Sequence, residues 1–317
     1  MSKSLGVLLF AGTLAIAGQP AFAEPVSLSD ALARGRDVSP RLAKAKAELK
    51  AAVGRAMQAG VRPNPTISAE VENFSGTGPY RTFRQTETTI AVSQPFELGG
   101  KRRARKEVAA AERSFAEIAL RMADADLIHD IIVSYAELRA AEDREALADS
   151  VHERAVELAR IAETLVDVGR DPPLTKLRAD ALLAEAKAER LRAQAELLSA
   201  RQELALLIGS EDPELSVIAQ DLPPPPALPA DAQSLDERLA AAERDAASAR
   251  VHLAQAEGVP DITASGGVRN FRENKDTAFI VGVSIPLPVF NSNRGNISAA
   301  RAGGEAAEAQ LAQTRLD

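Results

Sequence analysis

Between Lys101 and Val168 the chain has neither proline nor glycine, and Val108, Ala111, Phe115, Ile118, Met122 and Ala125 recur in steps of three and four. Apolar positions at that period, with charged residues between them, predict one long helix carrying a coiled-coil seam. At 1.5 Å per residue such a helix is roughly 100 Å long, so an elongated molecule is expected rather than a compact domain. Gly169-Arg170-Asp171-Pro172-Pro173 interrupts the pattern. Gly169 suits the position just past a helix end and Asp171 suits an N-cap, so the chain should reverse here. A return helix is predicted from Pro173 to Leu207, with a seam at Leu174, Leu177, Ala181, Ala184, Ala188, Leu191, Ala195 and Leu198.

Ahead of this hairpin, Ser29 or Asp30 can cap a helix running to about Gln58, which Gly60 and Pro63 end. The periodicity then changes from helical to alternating. Thr66–Glu72 places Ile67, Ala69 and Val71 on one face, and Glu87–Ser93 does the same with Ile90 and Val92. Two short strands are predicted, joined by a loop containing Gly76, Gly78 and Pro79. The pattern returns further on. Ile262, Ala264 and Val268, then Phe279, Val281, Val283 and Ile285, mark a second strand pair.

The second pair is similar to the first in sequence as well as in pattern. Ala59–Phe74 and Ala256–Phe271 agree at Pro63/Pro260, Thr66/Thr263, Ser68/Ser265, Val71/Val268, Asn73/Asn270 and Phe74/Phe271, at a constant offset. Val92-Ser93-Gln94-Pro95 pairs with Val283-Ser284-Ile285-Pro286 in the same order. Two ordered matches imply an internal duplication. The expected organisation is a leader at 1–23, a first repeat at 24–221, a proline-rich linker at 222–230 and a second repeat at 231–317. The second repeat stops within a helical pattern, so the expectation is that it is incomplete.

Composition narrows the chemistry. Only 3% of the 317 residues are aromatic, while Ala, Leu, Glu, Arg and Lys dominate, as in long helices packed through narrow seams. There is no cysteine, which excludes thiol catalysis and disulfides. His129, His152 and His252 stand apart on helices, without carboxylates at ligand spacing from a second histidine, so no metal site is expected. No nucleophile constellation, phosphate loop or cofactor motif is present, and acidic neighbours such as Glu142 and Asp143 are ordinary on charged helices. No catalytic residue and no cofactor are expected. A net charge of −7 is a poor basis for binding nucleic acid. Met1–Ala23 has one basic residue, an apolar stretch and Ala21-Phe22-Ala23, the pattern of a secretory signal peptide. Lys101, Arg102, Arg103, Arg105 and Lys106 form a basic cluster read as a solvated face, with contact to anionic lipid as the second reading.

An isolated pair of short strands is marginal in water. Four strands per chain cannot close a barrel, since the smallest need about eight, but three chains would supply twelve. From spacing alone a coiled-coil protein with small β decorations stands as the rival. The residues then add a resemblance. The tandem layout, Pro63-Asn64-Pro65 before the first strand, Ser93–Arg102 and Ile285–Gly295 resemble the TolC-like outer-membrane efflux protein family; Glu70–Phe74 with Glu97–Arg102 is similar to its cobalt–zinc–cadmium branch.

The resemblance implies a mainly α fold with a small β part: long helical hairpins plus four barrel strands per chain, in a homotrimer with a twelve-stranded outer-membrane barrel and a helical tunnel in the periplasm. It implies a passive export duct for divalent metal cations, served by an inner-membrane resistance-nodulation-division (RND) pump and a periplasmic adaptor. A duct for drugs or other small molecules, and the adaptor itself, are the alternatives. Val168, Gly169, Arg170, Asp171 and Leu174 would form the adaptor-contacting tip. Ile67, Val71, Ile90, Val92, Ile262, Val268, Phe279, Val281 and Val283 would face lipid. Pro95, Gly99, Gly100, Pro286 and Pro288 would mark the strand-to-helix junctions.

Overall fold

The structure, a computed structural model, describes residues 25–218 and 233–316. The expected leader at 1–23 and the linker at 222–230 lie outside the described residues. In chain order the elements are α1 (Leu28–Val38), α2 (Pro40–Ala59), β1 (Thr66–Glu72), β2 (Glu87–Phe96), α3 (Lys101–Asp167), α4 (Pro173–Ile208), α5 (Leu235–Glu257), β3 (Ile262–Phe271), β4 (Thr277–Ser284) and α6 (Arg294–Thr314), with two short 3-10 turns between β1 and β2. Helix dominates, as the apolar spacing requires.

The predicted first helix is two. Ser39 accepts a hydrogen bond from the Leu42 amide and Pro40 takes the first helical position, so the chain stops and restarts there. Ser27, rather than Ser29 or Asp30, accepts from the Asp30 amide at the start of α1.

The described chain divides into two compact units, with α3 contributing to both. The first comprises residues 25–38 and 128–218. Here the interior of α3 is Ile131, Ser134, Tyr135, Leu138, Ala141 and Ala148, which share one side of the helix. Gly35 of α1 lies against Ile131 so closely that a Cβ would collide with it. The Tyr135 hydroxyl is 3.1 Å from the Val26 carbonyl oxygen and 3.0 Å from that of Ile218, beside the parallel bridge between Val26 and Val217. Burial pushes the Tyr135 hydroxyl pKa up.

Along the α3–α4 hairpin, Glu163–Lys176 at 2.6 Å, Asp149–Arg190 at 3.6 Å and Arg144–Glu196 at 3.5 Å hold one antiparallel register. The seam expected on α4 is offset from the real one. Ala179, Ala186, Ala193, Leu197 and Leu204 are buried, whereas Leu174, Leu177, Leu191 and Leu198 are exposed. This return helix is apolar on more than one side, so periodicity alone offered two stripes. The stripe that faces α3 begins at Ala179, where Ala159 and Ala162 meet it, and the predicted Ala181, Ala184, Ala188 and Ala195 are exposed with the leucines. On α3 the predicted residues Val108–Ala125 are half-buried, and the fully buried series resumes two positions out of phase at Leu127 and Ile131.

The second unit comprises residues 39–127 and 233–316 and contains all four strands. α5 and α6 pack through alanine: Ala240, Ala242, Ala246, Ala247, Ala249, Ala254 and Ala256 are buried on α5, facing a helix with Ala307 and Leu311 buried. The two strand pairs do not stand apart. They form one antiparallel sheet in the order β1-β2-β3-β4, because β2 pairs with β3 over ten residues, from Glu87↔Phe271 to Phe96↔Ile262.

Candidate functional site

The register decides which side chains share a face, because directly opposed residues in an antiparallel ladder point the same way. Ile67 opposes Val92, Ile90 opposes Val268, Val281 opposes Gly266 and Val283 opposes Ala264. With Val71, Ile262 and Phe279, all nine apolar residues picked out in the sequence therefore lie on one face. That face is open: Phe279 is 87% and Val281 85% exposed, and only Ile262 of the nine is half-buried.

The opposite face carries Thr66, Ser68, Glu70, Glu72, Glu87, Thr89, Ser93, Ser265 and Arg269. Arg269 ties three strands together there. Its guanidinium donates to Thr89 Oγ1 at 2.9 Å and to Glu87 Oε2 at 3.0 Å, and lies 2.9 Å from Glu72 Oε2. A sheet packed in water hides its apolar face; this one leaves it open. β1 and β4 are its edges, each paired on one side only among the described residues.

Where β2 gives way to α3, the chain turns through Gly99 at φ +67° and Gly100 at φ +75°, a left-handed conformation that glycine adopts without strain. Gly99 also packs on Val259, where a Cβ would come within 2.6 Å of the valine Cβ. Charges lock this turn. Arg105 donates twice to Glu97. Asp261 Oδ1 accepts from the Leu98 amide at 3.1 Å and from Lys101 Nζ at 2.7 Å. Arg102 donates to the Gly60 carbonyl at 2.7 Å.

The hydrogen bonds from Arg105 hold the Glu97 carboxyl below its ordinary range and raise the guanidinium in turn. Burial opposes the charge of Asp261, but the bonds from Lys101 and the Leu98 amide outweigh it, and its pKa is lowered. The solvated-face reading of the basic cluster holds at the exposed Arg102, Arg103 and Lys106 and is corrected at the half-buried Lys101 and Arg105. Lys101, Arg102 and Arg105 are consumed by this lock, and only Arg103 and Lys106 face water without such a tie, Arg103 pairing one turn along with Glu107. Cations at a helix start oppose its dipole, and the Glu97 and Asp261 carboxylates offset them.

Pro95 does not end its strand. β2 continues through it to Phe96, still opposite Thr263 and Ile262 of β3. The ladder to β1 has already stopped at Thr66↔Ser93, so the missing N–H leaves no β1 acceptor unpaired. Pro286 does follow a strand end: β4 stops at Ser284, and Pro286 and Pro288 lie exposed beyond it. This second junction has no ionisable residue from Ala278 through Asn293. Asn293 fixes its far end, donating to the Ala254 carbonyl at 2.7 Å.

At the hairpin end, Gly169 has φ +71°. Its amide donates to Val166 O and that of Arg170 to Leu165 O, both at 2.9 Å, the paired bonds of a Schellman cap. Asp171 is not the N-cap of α4. Pro172 occupies that position, and no side chain caps it. Val168, Arg170 and Leu174 are exposed, Asp171 half-buried.

His129 and His252 are exposed and His152 half-buried, on α3 and α5. Among the described residues no group of three or more His, Cys, Asp or Glu is placed to hold a metal ion, and no helix is long and apolar enough to cross a membrane. Sequence reasoning missed Arg269 and Asp261. The first was legible as a lone cation on a strand's polar side; the partners of the second lie about 160 residues away.

The sequence matches the outer membrane efflux protein family over residues 28–210 and 230–317. It is 34% identical over 308 residues to the nickel and cobalt resistance protein CnrC of Cupriavidus metallidurans, covering 92% of this chain and 73% of that protein. It is 30% identical over 315 residues to the nickel-cobalt-cadmium resistance protein NccC of Alcaligenes xylosoxydans xylosoxydans, covering 98% and 70%. Among solved structures, the outer-membrane channel OprN superposes with a TM-score of 0.72 at 28% identity, over 91% of this chain and 71% of that one. The exposed apolar sheet face and the long helical hairpin have their counterpart in a family of channels rather than of enzymes: this chain belongs to the outer membrane efflux protein family.

Proposed function

We infer that the chain is one third of an outer-membrane export duct for divalent metal cations. The observation that carries this reading is the open sheet, apolar and exposed on one side, charged on the other, with a free edge at β1 and at β4. Three copies joined edge to edge make a twelve-stranded barrel whose apolar face meets lipid through Ile67, Val71, Ile90, Val92, Ile262, Val268, Phe279, Val281 and Val283, and whose polar face lines a water-filled lumen. The leader at 1–23 directs export, and the two tandem repeats each supply one hairpin of strands. The helices continue the lumen through the periplasm. The tip at Val168–Leu174 meets a periplasmic adaptor, which links the duct to an RND pump in the inner membrane.

The metal cargo is supported by the names of the relatives, which carry nickel, cobalt and cadmium resistance. Transit needs no resident metal site, because tight binding would slow release. The mechanism is diffusion through the lumen, with no bond made or broken. The test is complementation. Expressed in a strain lacking the outer-membrane component of a nickel–cobalt exporter, the chain restores growth on Ni2+ or Co2+, and it runs as a heat-dissociable trimer from outer-membrane fractions. Recovery only as a soluble periplasmic monomer overturns the reading. Restored tolerance to drugs without tolerance to metals overturns the cargo alone.

A further inference from the structure

The four strands contain four ionisable residues, Glu70, Glu72, Glu87 and Arg269. All of them lie on the polar face, and all in the half of the sheet away from the helices. Glu72 and Glu87 are directly opposed in the β1–β2 ladder, a like-charged pairing that destabilises a sheet. Arg269 offsets it from β3, its guanidinium 2.9 Å from Glu72 Oε2 and 3.0 Å from Glu87 Oε2. The Thr89 hydroxyl accepts from its Nε at 2.9 Å and holds the guanidinium over the carboxylate pair. The clamp remains open to water: the side chains of Arg269, Glu72 and Glu87 are 30%, 39% and 23% exposed. Glu70, next along that face of β1, is exposed and makes no ion pair among the described residues.

We propose that Arg269 is a built-in counter-ion that sets how strongly the duct holds its cargo, occupying the Glu72–Glu87 pair on which a passing divalent cation would otherwise lodge. The proposal rests on the barrel reading and deepens it by naming the lumen residue that keeps metal binding weak. Oxygen donors paired across a ladder suit a divalent cation, and here the protein's own cation already lies between them. Conduction needs binding favourable enough to enter and weak enough to leave. A metal ion must displace a guanidinium that stays charged at every working pH, so the pair does not become a trap in either acid or base. The three carboxylates outnumber the one guanidinium, so the mouth of the lumen stays negative and still draws cations.

The test inserts the full chain into planar bilayers as the wild type, R269Q, R269K and the double variant E72Q/E87Q. Two quantities are read at low ionic strength, where salt screens these charges least: the reversal potential in a KCl gradient, and the Ni2+ concentration that halves the K+ current. R269Q should raise the preference for K+ over Cl− and lower the half-blocking Ni2+ concentration about tenfold, because the dication no longer meets a unit positive charge beside the pair. R269K keeps that charge and should stay near the wild type in both. E72Q/E87Q removes the repulsion and leaves Arg269 unopposed, so the preference for K+ should fall. Channels whose reversal potential and Ni2+ block are unchanged in R269Q overturn the proposal and leave the barrel standing. No channel from the wild type overturns the barrel reading and the proposal with it. Should R269Q alone form no channel, E72Q/E87Q decides: a shift toward Cl− supports the proposal, and an unchanged reversal potential overturns it.

Discussion

At the end of β2 the chain enters a helix through two glycines and a set of ion pairs; at the end of β4 it does so through two prolines and no charge at all. Both junctions solve one problem, the change from a strand rising about 3.3 Å per residue to a helix rising about 1.5 Å. They solve it with opposite chemistry. The first packs backbone against Val259, so a side chain at Gly99 has no room, and it neutralises the cations at the start of α3 with Glu97 and Asp261. The second is tied at its far end by Asn293 and leaves Leu287, Val289 and Phe290 more exposed than Phe96 and Leu98 of the first. A turn that packs its backbone against a neighbouring side chain is thus specified by steric absence and by paired charge. A turn that need only leave the sheet is specified by proline stiffness.

Steric specification gives the largest expected effect. Gly99→Ala combines an unfavourable left-handed φ with a collision against Val259, and should cost about 2–4 kcal/mol of stability. Gly100→Ala has a similar φ but nothing within 4 Å of its new Cβ, so it should cost only about 1–2 kcal/mol. Pro288→Ala at the other junction should stay within about 0.5 kcal/mol. Urea unfolding of the three variants, followed by circular dichroism, ranks them; equal losses at Gly99 and Gly100 would show that packing on Val259 contributes nothing.

Paired charge comes next. The side chains of Glu97 and Arg105 are 14% and 30% exposed, so removing one partner leaves the other partly desolvated. Glu97→Gln should cost about 1–3 kcal/mol. A double-mutant cycle with Arg105→Met should return a coupling energy of about 1–2 kcal/mol. Additive losses would mean that the pair contributes nothing specific to the turn.

These contrasts also mark what could be read from the sequence. Element type followed from periodicity: Lys101–Asp167 and Thr66–Glu72 are where the apolar spacing puts them. The face shared by the nine apolar strand residues was legible too, because alternation fixes side within a strand. Pairing between strands was not. The β2–β3 ladder joins residues about 180 apart, and no local pattern encodes that. The α4 seam was misread for a related reason: an Ala/Leu-rich helix has several apolar stripes, and only the partner selects one. The split at Ser39-Pro40, by contrast, was written in an N-cap serine followed by a first-turn proline. At the junctions the glycines and prolines announced turns, but not that Lys101, Arg102 and Arg105 would find partners brought close by folding.

Acid should separate the two junctions by the smallest and most local effect. Glu97 and Asp261 both have lowered pKa values when folded, the first through the hydrogen bonds from Arg105, the second because bonds from Lys101 and the Leu98 amide outweigh burial. Carboxylates whose folded pKa lies below the unfolded one contribute stability fully above the unfolded value, near pH 4, and lose it as pH falls toward the folded value. The first junction should therefore loosen as pH drops from about 5 to 3, while the chain from Ala278 through Asn293, lacking any ionisable group, should not respond. Hydrogen exchange corrected for intrinsic rates reads this directly. The Leu98 amide, which donates to Asp261, should lose protection in that window, and the Asn293 region should keep its own. Asp261→Asn should flatten the response at Leu98 without changing it at Asn293. Parallel loss at both places would mean that acid loosens the whole unit rather than the ion-paired turn.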